Sequence, residues 1–324
     1  MRVADDLHDR DLELAEPKAR WRTVQVIVNG SAGQGHDDEV KRKLLDLFTR
    51  HGLQAEVTLA GSGEEMIATA RRAREEGTDA VVAGGGDGTI NAVASQLAGT
   101  RIPFGVLPLG TLNHFAKDLG IPLDLEQAVR TVAEGRLKAV DVGEVNGRIF
   151  LNNSSLGLYP DIVRDREMQQ RRLGRGKWVA AAWATVAALR RYPFLAVRVK
   201  TEQTEKVRMT PFVFIGNNEY SMEGLSIGMR NTLDDGQLSL YIAQRPGRLG
   251  LLRFALRALF GRLAQARDFD VLLVENMEIE TQHARLRVAT DGEVCWMETP
   301  LRYRARKGAL TVIVPPASER ATQA

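Results

Sequence analysis

Short apolar runs alternate with helix-like segments over the first part of the chain. Residues 24–30 (VQVIVNG) are typical of a buried strand, and residues 37–52 have apolar positions at helical spacing. The two patterns then repeat, with strands predicted at 55–60, 79–85 and 102–110 and helices at 62–76, 90–99, 112–120 and 125–135. Because crossover helices connect parallel strands, this alternation predicts a doubly wound α/β domain over residues 22–138.

The pattern changes at about residue 139. Asn146-Gly147 separates the apolar runs 139–145 and 148–153, as in a β-hairpin with a two-residue turn. Alternating and β-branched runs then predict a mainly antiparallel, β-sandwich-like domain over residues 139–316, whose last strand could return to the first domain. Its predicted strands are 195–200, 206–218, 237–243, 274–282, 284–290, 301–306 and 309–316, and its predicted helical inserts are roughly 161–191 and 248–266. Flexible tails are predicted at 1–21 and 317–324.

Composition places the chain among soluble globular proteins. It has 324 residues, of which 44% are apolar and 26% charged. No apolar run approaches the ~18–20 residues that span a bilayer, and the polar N-terminus lacks the core of a secretion signal, so we expect a cytoplasmic protein. The single cysteine, Cys295, excludes an intrachain disulfide, and a packed thiol is favoured over a nucleophile because no Cys-His arrangement surrounds it.

Basic residues are unevenly distributed along the chain. The formal net charge is +3, but residues 171–178 and 245–267 are locally basic. Such segments can contact anionic lipid headgroups or can form ordinary solvated faces. The sequence has neither an aromatic-interleaved RNA-binding motif nor zinc-finger spacing, which argues against a nucleic-acid partner.

The loop Gly84–Thr89 (GGGDGT) directly follows the third predicted strand. Ligands of open α/β sheets bind at the carboxyl ends of strands, where glycines expose backbone N–H groups and a following helix adds partial positive charge. A carboxylate beside phosphate is repelled unless a divalent cation bridges them, so Asp87 favours Mg²⁺ with phosphate over bare phosphate. The alternative is a tight turn in which Asp87 caps the helix. The loop is neither a Walker A motif nor a dinucleotide fingerprint.

Two more glycine-bearing loops follow predicted strands at the same edge. Residues 29–36 (NGSAGQGH) follow the first strand, and residues 107–122 (LPLGTLNHFAKDLGIP) include the end of the fourth. Either loop could be a plain connection. Together with the third loop they predict a nucleotide cradle.

The segments 84–93 (GGGDGTINAV), 107–122 and 290–293 (TDGE) together resemble the diacylglycerol kinase catalytic-domain family. This family includes bacterial soluble lipid kinases and the sphingosine and ceramide kinases. Gly-Gly-Asp-Gly alone is shared with NAD kinases and phosphofructokinases, whereas the 107–122 segment is typical of the lipid kinases. The resemblance covers about residues 22–316.

The resemblance implies transfer of the γ-phosphoryl group of ATP, with Mg²⁺, to a lipid hydroxyl. Glu293 matches the general base of the family, with Asp291 beside it and Asp87 in the metal and phosphate network. Nucleotide contacts are implied for Asn29, Gly30, Ser31, Ala32, Gly33, Thr58, Gly85, Gly86, Asp87, Gly88, Thr89, Asn91 and Thr111. A structural Mg²⁺ is implied at Asp235, with backbone carbonyls of Thr232 and Gln237; a plain turn before a strand is an equal alternative there.

Two positions depart from the family pattern. The first loop has Gly30 where the family usually has proline, and His114 replaces a commoner aspartate. The second change leaves one acid fewer near the cleft, and we expect His114 to be a buried, hydrogen-bonded imidazole rather than a catalytic group.

The implied partner is a lipid substrate at a membrane surface. Residues 249–263 combine arginines with leucine and phenylalanine, which is typical of an interfacial helix or of a helix packed on the β domain. A homodimer is compatible with the sequence, and the acceptor lipid is not specified by it. Two alternatives stay open: an NAD kinase-like enzyme with a soluble acceptor, and a nucleotide- or lipid-binding regulator without turnover.

Overall fold

The computed structural model describes residues 21–30, 37–157, 195–220, 230, 232–243 and 269–316. The helical inserts predicted at 161–191 and 248–266, and the predicted tails apart from Trp21, lie outside these residues. None of the helices that it describes has the length and hydrophobicity that crossing a bilayer requires.

A parallel sheet forms the N-terminal part of the fold. Its strands are β1 (Thr23–Asn29), β2 (Gln54–Ala60), β3 (Ala80–Gly85) and β4 (Phe104–Pro108). They lie in the order β2-β1-β3-β4, and each pairs with its neighbour in parallel. The consecutive apolar residues of β1 and β3 are buried on both faces, as expected for central strands of a covered sheet.

Helices connect these strands. They are α1 (Asp37–Arg50), α2 (Gly63–Glu76), α3 (Asp87–Leu97), α4 (His114–Asp118) and α5 (Leu125–Glu134). The N-terminus of α2 is capped, because the Ser62 hydroxyl accepts a hydrogen bond from the Glu65 N–H and the Glu65 carboxylate accepts one from the Gly61 N–H. Asp124 caps α5 in the same way by accepting from the Gln127 N–H.

The C-terminal part is built of antiparallel strands. They are β5 (Arg136–Val145), β6 (Arg148–Phe150), β7 (Asn153–Gly157), β8 (Leu195–Lys200), β9 (Glu205–Thr210), β10 (Phe212–Asn217), β11 (Leu238–Ala243), β12 (Phe269–Val274), β13 (Asn276–Thr281), β14 (Arg285–Thr290), β15 (Glu293–Glu298) and β16 (Leu301–Val314). The second sheet has the order β12-β11-β10-β7-β14-β15, whereas β13, β8 and β9 extend the first sheet beyond β16. Asn146-Gly147 forms the predicted hairpin turn, with positive φ at both residues.

Strand β16 belongs to both parts of the molecule. Its first residues, Leu301–Arg304, pair with β13, and β5 pairs with it on both sides of a bulge between Arg306 and Leu310. Beyond the bulge, Val312 lies beside Phe104 of β4 in parallel register. One strand therefore carries the sheet from the C-terminal part into the N-terminal part.

A buried carboxylate holds the bulge. Asp141 of β5 accepts hydrogen bonds from the Gly308 N–H at 2.7 Å and from the Gly236 N–H at 2.6 Å. Its own N–H donates to the carbonyl of Leu233. The loop before β11 is thereby fixed against β5 and the bulged segment of β16.

The apolar residues form a separate core in each part. Ile27, Ile90 and Phe104 belong to the core between the parallel sheet and its helices, and Ile215 and Ile279 belong to the core between the two sheets of the C-terminal part. This arrangement confirms the predicted fold class, an α/β part followed by a sandwich-like antiparallel β part.

Several predicted boundaries were wrong. The single strand predicted at 206–218 is two strands, β9 and β10, that are separated at Pro211, which has no N–H to donate. The helix predicted at 112–120 is only the five residues of α4, because Asn113 before it has left-handed backbone angles. Strands β12 and β15 were not predicted.

Two loops of the N-terminal part touch through their backbones. A Cβ atom added to Gly110, in the loop after β4, would lie 2.4 Å from the Cα of Gly86, in the loop after β3. Real contacts of this kind do not occur at such distances. The absence of a side chain at Gly110 is therefore what lets the loops meet.

We predict that Gly110→Ala lowers the free energy of unfolding by about 1–3 kcal/mol through overpacking. Gly63→Ala is the matched control, because a Cβ at Gly63 has nothing within 4 Å. Urea denaturation of both variants measures the difference. Equal midpoints for the two variants would contradict the prediction.

Candidate active site

The carboxyl ends of β1, β3 and β4 lie side by side in the parallel sheet. Asn29, the last residue of β1, donates from Nδ2 to the Thr89 hydroxyl of α3 at 3.4 Å. Gly85 ends β3 and Gly86 is the N-cap of α3, so the N-terminus of this helix opens directly onto the glycine loop. The predicted cradle residues of β1 and β3 are therefore brought together, whereas Ser31, Ala32 and Gly33 lie outside the described residues.

Asp87 joins the loop after β3 to the loop after β4. Its two carboxylate oxygens accept hydrogen bonds from the N–H groups of His114 and Phe115, at 3.3 Å and 3.2 Å. These are the first amides of α4. Asp87 is the first residue of α3, but the helix that its side chain caps is α4.

The loop after β4 is stabilised by Asn113. The Asn113 side chain accepts from the Gly110 N–H and donates to the carbonyls of Gly110 and Pro108. Thr111, a predicted nucleotide contact, is exposed at the tip of this loop. The hydrogen bonds of Asn113 therefore fix the backbone of this loop.

Asn91 lies on the same face of α3 as Asp87, four residues later. The residue is buried, and its Oδ1 has no hydrogen-bond partner in the described part of the chain. Buried acceptors are normally satisfied, so this oxygen is available to a bound group.

Glu293 reaches the glycine loop from the other part of the fold. It is the first residue of β15, after the two-residue turn Asp291-Gly292, in which both residues have positive φ. A Cβ atom placed on Gly88 would lie 3.5 Å from Glu293 Oε1. The hairpin β14–β15 thus brings a carboxylate close to Gly88, in the first turn of α3.

Arg148 is a site residue that the sequence did not indicate. Its guanidinium donates to Glu293 Oε2 at 2.5 Å and to the Thr290 hydroxyl at 2.9 Å. Both Arg148 and Glu293 are partly exposed, so the ion pair lies at the surface of the cleft. Arg148 immediately follows the Asn146-Gly147 turn, and nothing in that hairpin pattern distinguishes it from a solvated arginine.

Asp291 faces backbone amides instead of the cleft. Its carboxylate accepts from the N–H groups of Leu151, Asn152 and Asn153, at 2.7, 2.8 and 3.0 Å. Burial raises the pKa of Asp291 to about 6, although these three hydrogen bonds and the charge of Arg230 act in the opposite direction. The residue anchors the β14–β15 turn to the segment between β6 and β7.

The predicted metal residues lie in the loop before β11. The Asp235 carboxylate accepts a hydrogen bond from the Thr232 hydroxyl, and the Gln237 carbonyl accepts one from the Asn218 N–H. Asp235 is exposed. Within the described residues, three or more histidine, cysteine or acidic side chains do not cluster around a point where they could share a metal ion.

Thr58, His114 and Cys295 were also singled out by the sequence. Thr58 lies two positions before the end of β2, and its hydroxyl accepts from Gln25 Nε2 at 3.1 Å. His114 is exposed, so its predicted burial was wrong: it occupies the first position of α4, outside the buried pair Phe115 and Ala116. Cys295 is a free, half-buried thiol in β15.

Comparison with known proteins agrees with this architecture. Residues 23–145 match the diacylglycerol kinase catalytic domain, and residues 161–314 match the YegS C-terminal NAD kinase beta sandwich-like domain. The crystal structure of a diacylglycerol kinase from Bacillus anthracis str. Sterne superposes with a TM-score of 0.68 at 22% identity, over 93% of this chain and 99% of that chain. That structure supports the fold.

Curated relatives align along nearly the whole chain. A "Probable lipid kinase YegS-like" from Chromohalobacter salexigens is 30% identical over 94% of this chain and 97% of that protein. A "Diacylglycerol kinase" from Mycobacterium tuberculosis is 28% identical over 90% of this chain and 95% of that protein. With the glycine loop, the 107–122 segment and the β14–β15 turn in one cleft, the chain belongs to the diacylglycerol kinase catalytic-domain family of lipid kinases.

Proposed function

We propose that this protein transfers the γ-phosphoryl group of ATP, with Mg²⁺, to the hydroxyl of a lipid of the diacylglycerol or sphingoid type. The observation that carries the proposal is the approach of the Glu293 carboxylate to Gly88. It combines a candidate general base from the C-terminal part with a candidate phosphate-binding loop from the N-terminal part. Phosphoryl transfer requires both groups in one cleft.

The end of β1 and the loops after β3 and β4 are suited to the phosphates of a nucleotide. Backbone amides at Gly85–Gly88, the N-terminus of α3 and the Thr89 hydroxyl supply donors and partial positive charge. Gly30, Thr58 and Thr111 are proposed as further nucleotide contacts because they border the same edge of the sheet. In this arrangement the protein binds the triphosphate mainly through backbone N–H groups.

The oxygen atoms of α3 fit a magnesium ion. Mg²⁺ takes oxygen ligands and retains several waters. Asp87 offers a carboxylate, and Asn91 offers a buried Oδ1 without a partner on the same helix face. When bound, Mg²⁺ would neutralise charge that develops on the phosphoryl oxygens. We also propose a structural Mg²⁺ at Asp235, because the Asp235 carboxylate and the carbonyls of Thr232 and Gln237 are all oxygen ligands.

Glu293 is proposed to remove the proton from the lipid hydroxyl. Its carboxylate is partly exposed, so an acceptor can reach it from solvent or from a membrane surface. Arg148 orients one carboxylate oxygen and leaves Oε1 on the side of Gly88. Asp291 is proposed to position the turn that carries Glu293 rather than to contact the acceptor.

The first test is incubation of the protein with labelled ATP and a total lipid extract, followed by mass identification of the product. We expect a phosphorylated lipid, and we expect Glu293→Gln to lower its formation about 10²–10⁴-fold, because the variant cannot take up the proton. The affinity for Mg²⁺-ATP should be retained.

Glu298→Gln is the control, since Glu298 lies on the same strand and its side chain is exposed. Near-normal turnover of Glu293→Gln would remove that residue from the mechanism. Phosphorylation of NAD instead of lipid would identify a kinase with a soluble acceptor, and nucleotide binding without any transfer would identify a regulator.

Asp87 is proposed to take part in binding the Mg²⁺–ATP complex. Asp87→Ala should weaken Mg²⁺-ATP binding about 10-fold or more, because it removes a candidate metal ligand and releases the amides of α4. Asp124→Ala removes a cap of a similar kind from α5 and serves as the control. Each variant should lose about 1 kcal/mol of stability, but only the first should lose nucleotide affinity. Equal nucleotide titrations by calorimetry would contradict this assignment.

The raised pKa of Asp291 makes the stability of the protein depend on pH. The folded protein binds a proton at this carboxyl near pH 6, whereas the unfolded chain does so only near its ordinary value of 3.8. Stability from this group is therefore present at low pH and is lost as the pH rises through about 6. From pH 7.5 to pH 5, the wild type should gain about 1 kcal/mol of unfolding free energy relative to Asp291→Asn.

Asp79→Asn is the control for this titration. Hydrogen bonds from the Thr23 and Arg22 amides lower the pKa of Asp79, so that carboxyl titrates below the tested range. Denaturation of all three proteins between pH 5 and 7.5 measures both differences. A pH-independent difference between wild type and Asp291→Asn would contradict the prediction.

A further inference from the structure

A buried arginine lies between the two halves of the cleft. Arg230 is almost fully buried, and its guanidinium donates to Asp118 Oδ2 at 2.8 Å from Nε. It also donates to the carbonyl of Leu151 at 2.7 Å, to that of Asn217 at 3.2 Å and to Asn152 Oδ1 at 2.9 Å. The guanidinium therefore bridges acceptors from segments that are far apart in the chain.

On the nucleotide side, the bridge ends at the last residue of α4. Asp118 is that residue, and its carboxylate is largely buried against Arg230. The first amides of the same helix are bound by Asp87. The five-residue helix α4 is thus held at its start by the glycine loop and at its end by Arg230.

On the acceptor side, the bridge ends at the segment that anchors Asp291. Arg230 binds the carbonyl of Leu151 and the side chain of Asn152, while Asp291 binds the N–H groups of Leu151, Asn152 and Asn153. Glu293 is two residues after Asp291, across a tight turn. A continuous set of polar contacts therefore runs from Asp87 through α4 and Arg230 to the turn that carries Glu293.

A gain in folding stability is a weak explanation for the buried ion pair between Arg230 and Asp118. Burial raises the pKa of Asp118, and the charge of Arg230 opposes that effect only in part. Replacing a buried ion pair by apolar residues of similar volume is often neutral or stabilising. A planar guanidinium, in contrast, fixes the direction of each of its acceptors.

We propose that Arg230, through Asp118, is a positioning residue that sets the distance between the phosphate-binding loops and Glu293. The proposal rests on the proposed function. It predicts that the pair matters for the transition state more than for nucleotide binding, because the loops after β3 and β4 have their own contacts through Asp87 and Asn113.

The test uses the double variant Asp118→Leu with Arg230→Met in the full chain. This pair removes both charges together, so that neither is left buried without its partner. We expect a folded protein whose kcat for lipid phosphorylation falls about 100-fold, since a displacement of about 1 Å between reacting groups can cost that much. The KM for Mg²⁺-ATP should change by less than about two-fold.

Hydrogen exchange supplies a readout that does not depend on activity. The amides of residues 151–153 should lose about 10-fold or more of their protection in the double variant, whereas those of β1 and β3 should not change. Arg208→Met is the matched control, because Arg208 forms an exposed ion pair with Asp270 outside the cleft. The single variant Arg230→Lys should fold, but its kcat should be as low as that of the double variant, because an ammonium group lacks the planar set of donors of a guanidinium.

The outcomes separate the two proposals. If the wild type phosphorylates no lipid, the proposed function fails, and the exchange measurement still tests the bridge. Unchanged protection at residues 151–153, or a folded double variant with wild-type kcat, would overturn the positioning role. Lost hydrogen-exchange protection at residues 151–153, together with a lower kcat and an unchanged KM for Mg²⁺-ATP, would support the positioning role.

Discussion

The geometry of the cleft depends on the backbone pairing of β16. This strand leaves the antiparallel part beside β13, passes a bulge and ends in parallel register with β4. Backbone hydrogen bonds therefore join the two parts into one continuous sheet. The glycine loop follows β3 of this first sheet, and the second sheet, which carries the β14–β15 turn, packs against β13 and β16 of the first sheet through the C-terminal core.

Three aspartates of the described residues bind backbone amides at positions that shape the cleft and the bulge. Asp87 holds α4, Asp291 holds residues 151–153, and Asp141 holds Gly236 and Gly308. An aspartate in a glycine-rich loop therefore does not by itself indicate a cation. At Asp87 the two roles are compatible, because a carboxylate bound to two long amide contacts retains further lone pairs.

Much of the architecture could be predicted from local patterns, and much of the cleft could not. The apolar runs of β1 and β3, the capping residues Ser62 and Asp124 and the Asn146-Gly147 turn act over a few residues. The segment of β15 (EVCWME) was missed because its glutamates and cysteine do not resemble a strand. Arg230 and Asp118 are 112 positions apart, and no periodicity relates them. Glu293 was suggested only by resemblance, since TDGE alone specifies a turn.

The shared strand also bears on how such a protein can be divided. The two regions that match known domains, 23–145 and 161–314, suggest a cut between them. Such a cut would leave the end of β16 in one fragment and both of its neighbours β4 and β5 in the other. The first fragment would then expose a long unpaired sheet edge, which is a template for aggregation. Both halves of this fold are therefore best expressed together in one chain.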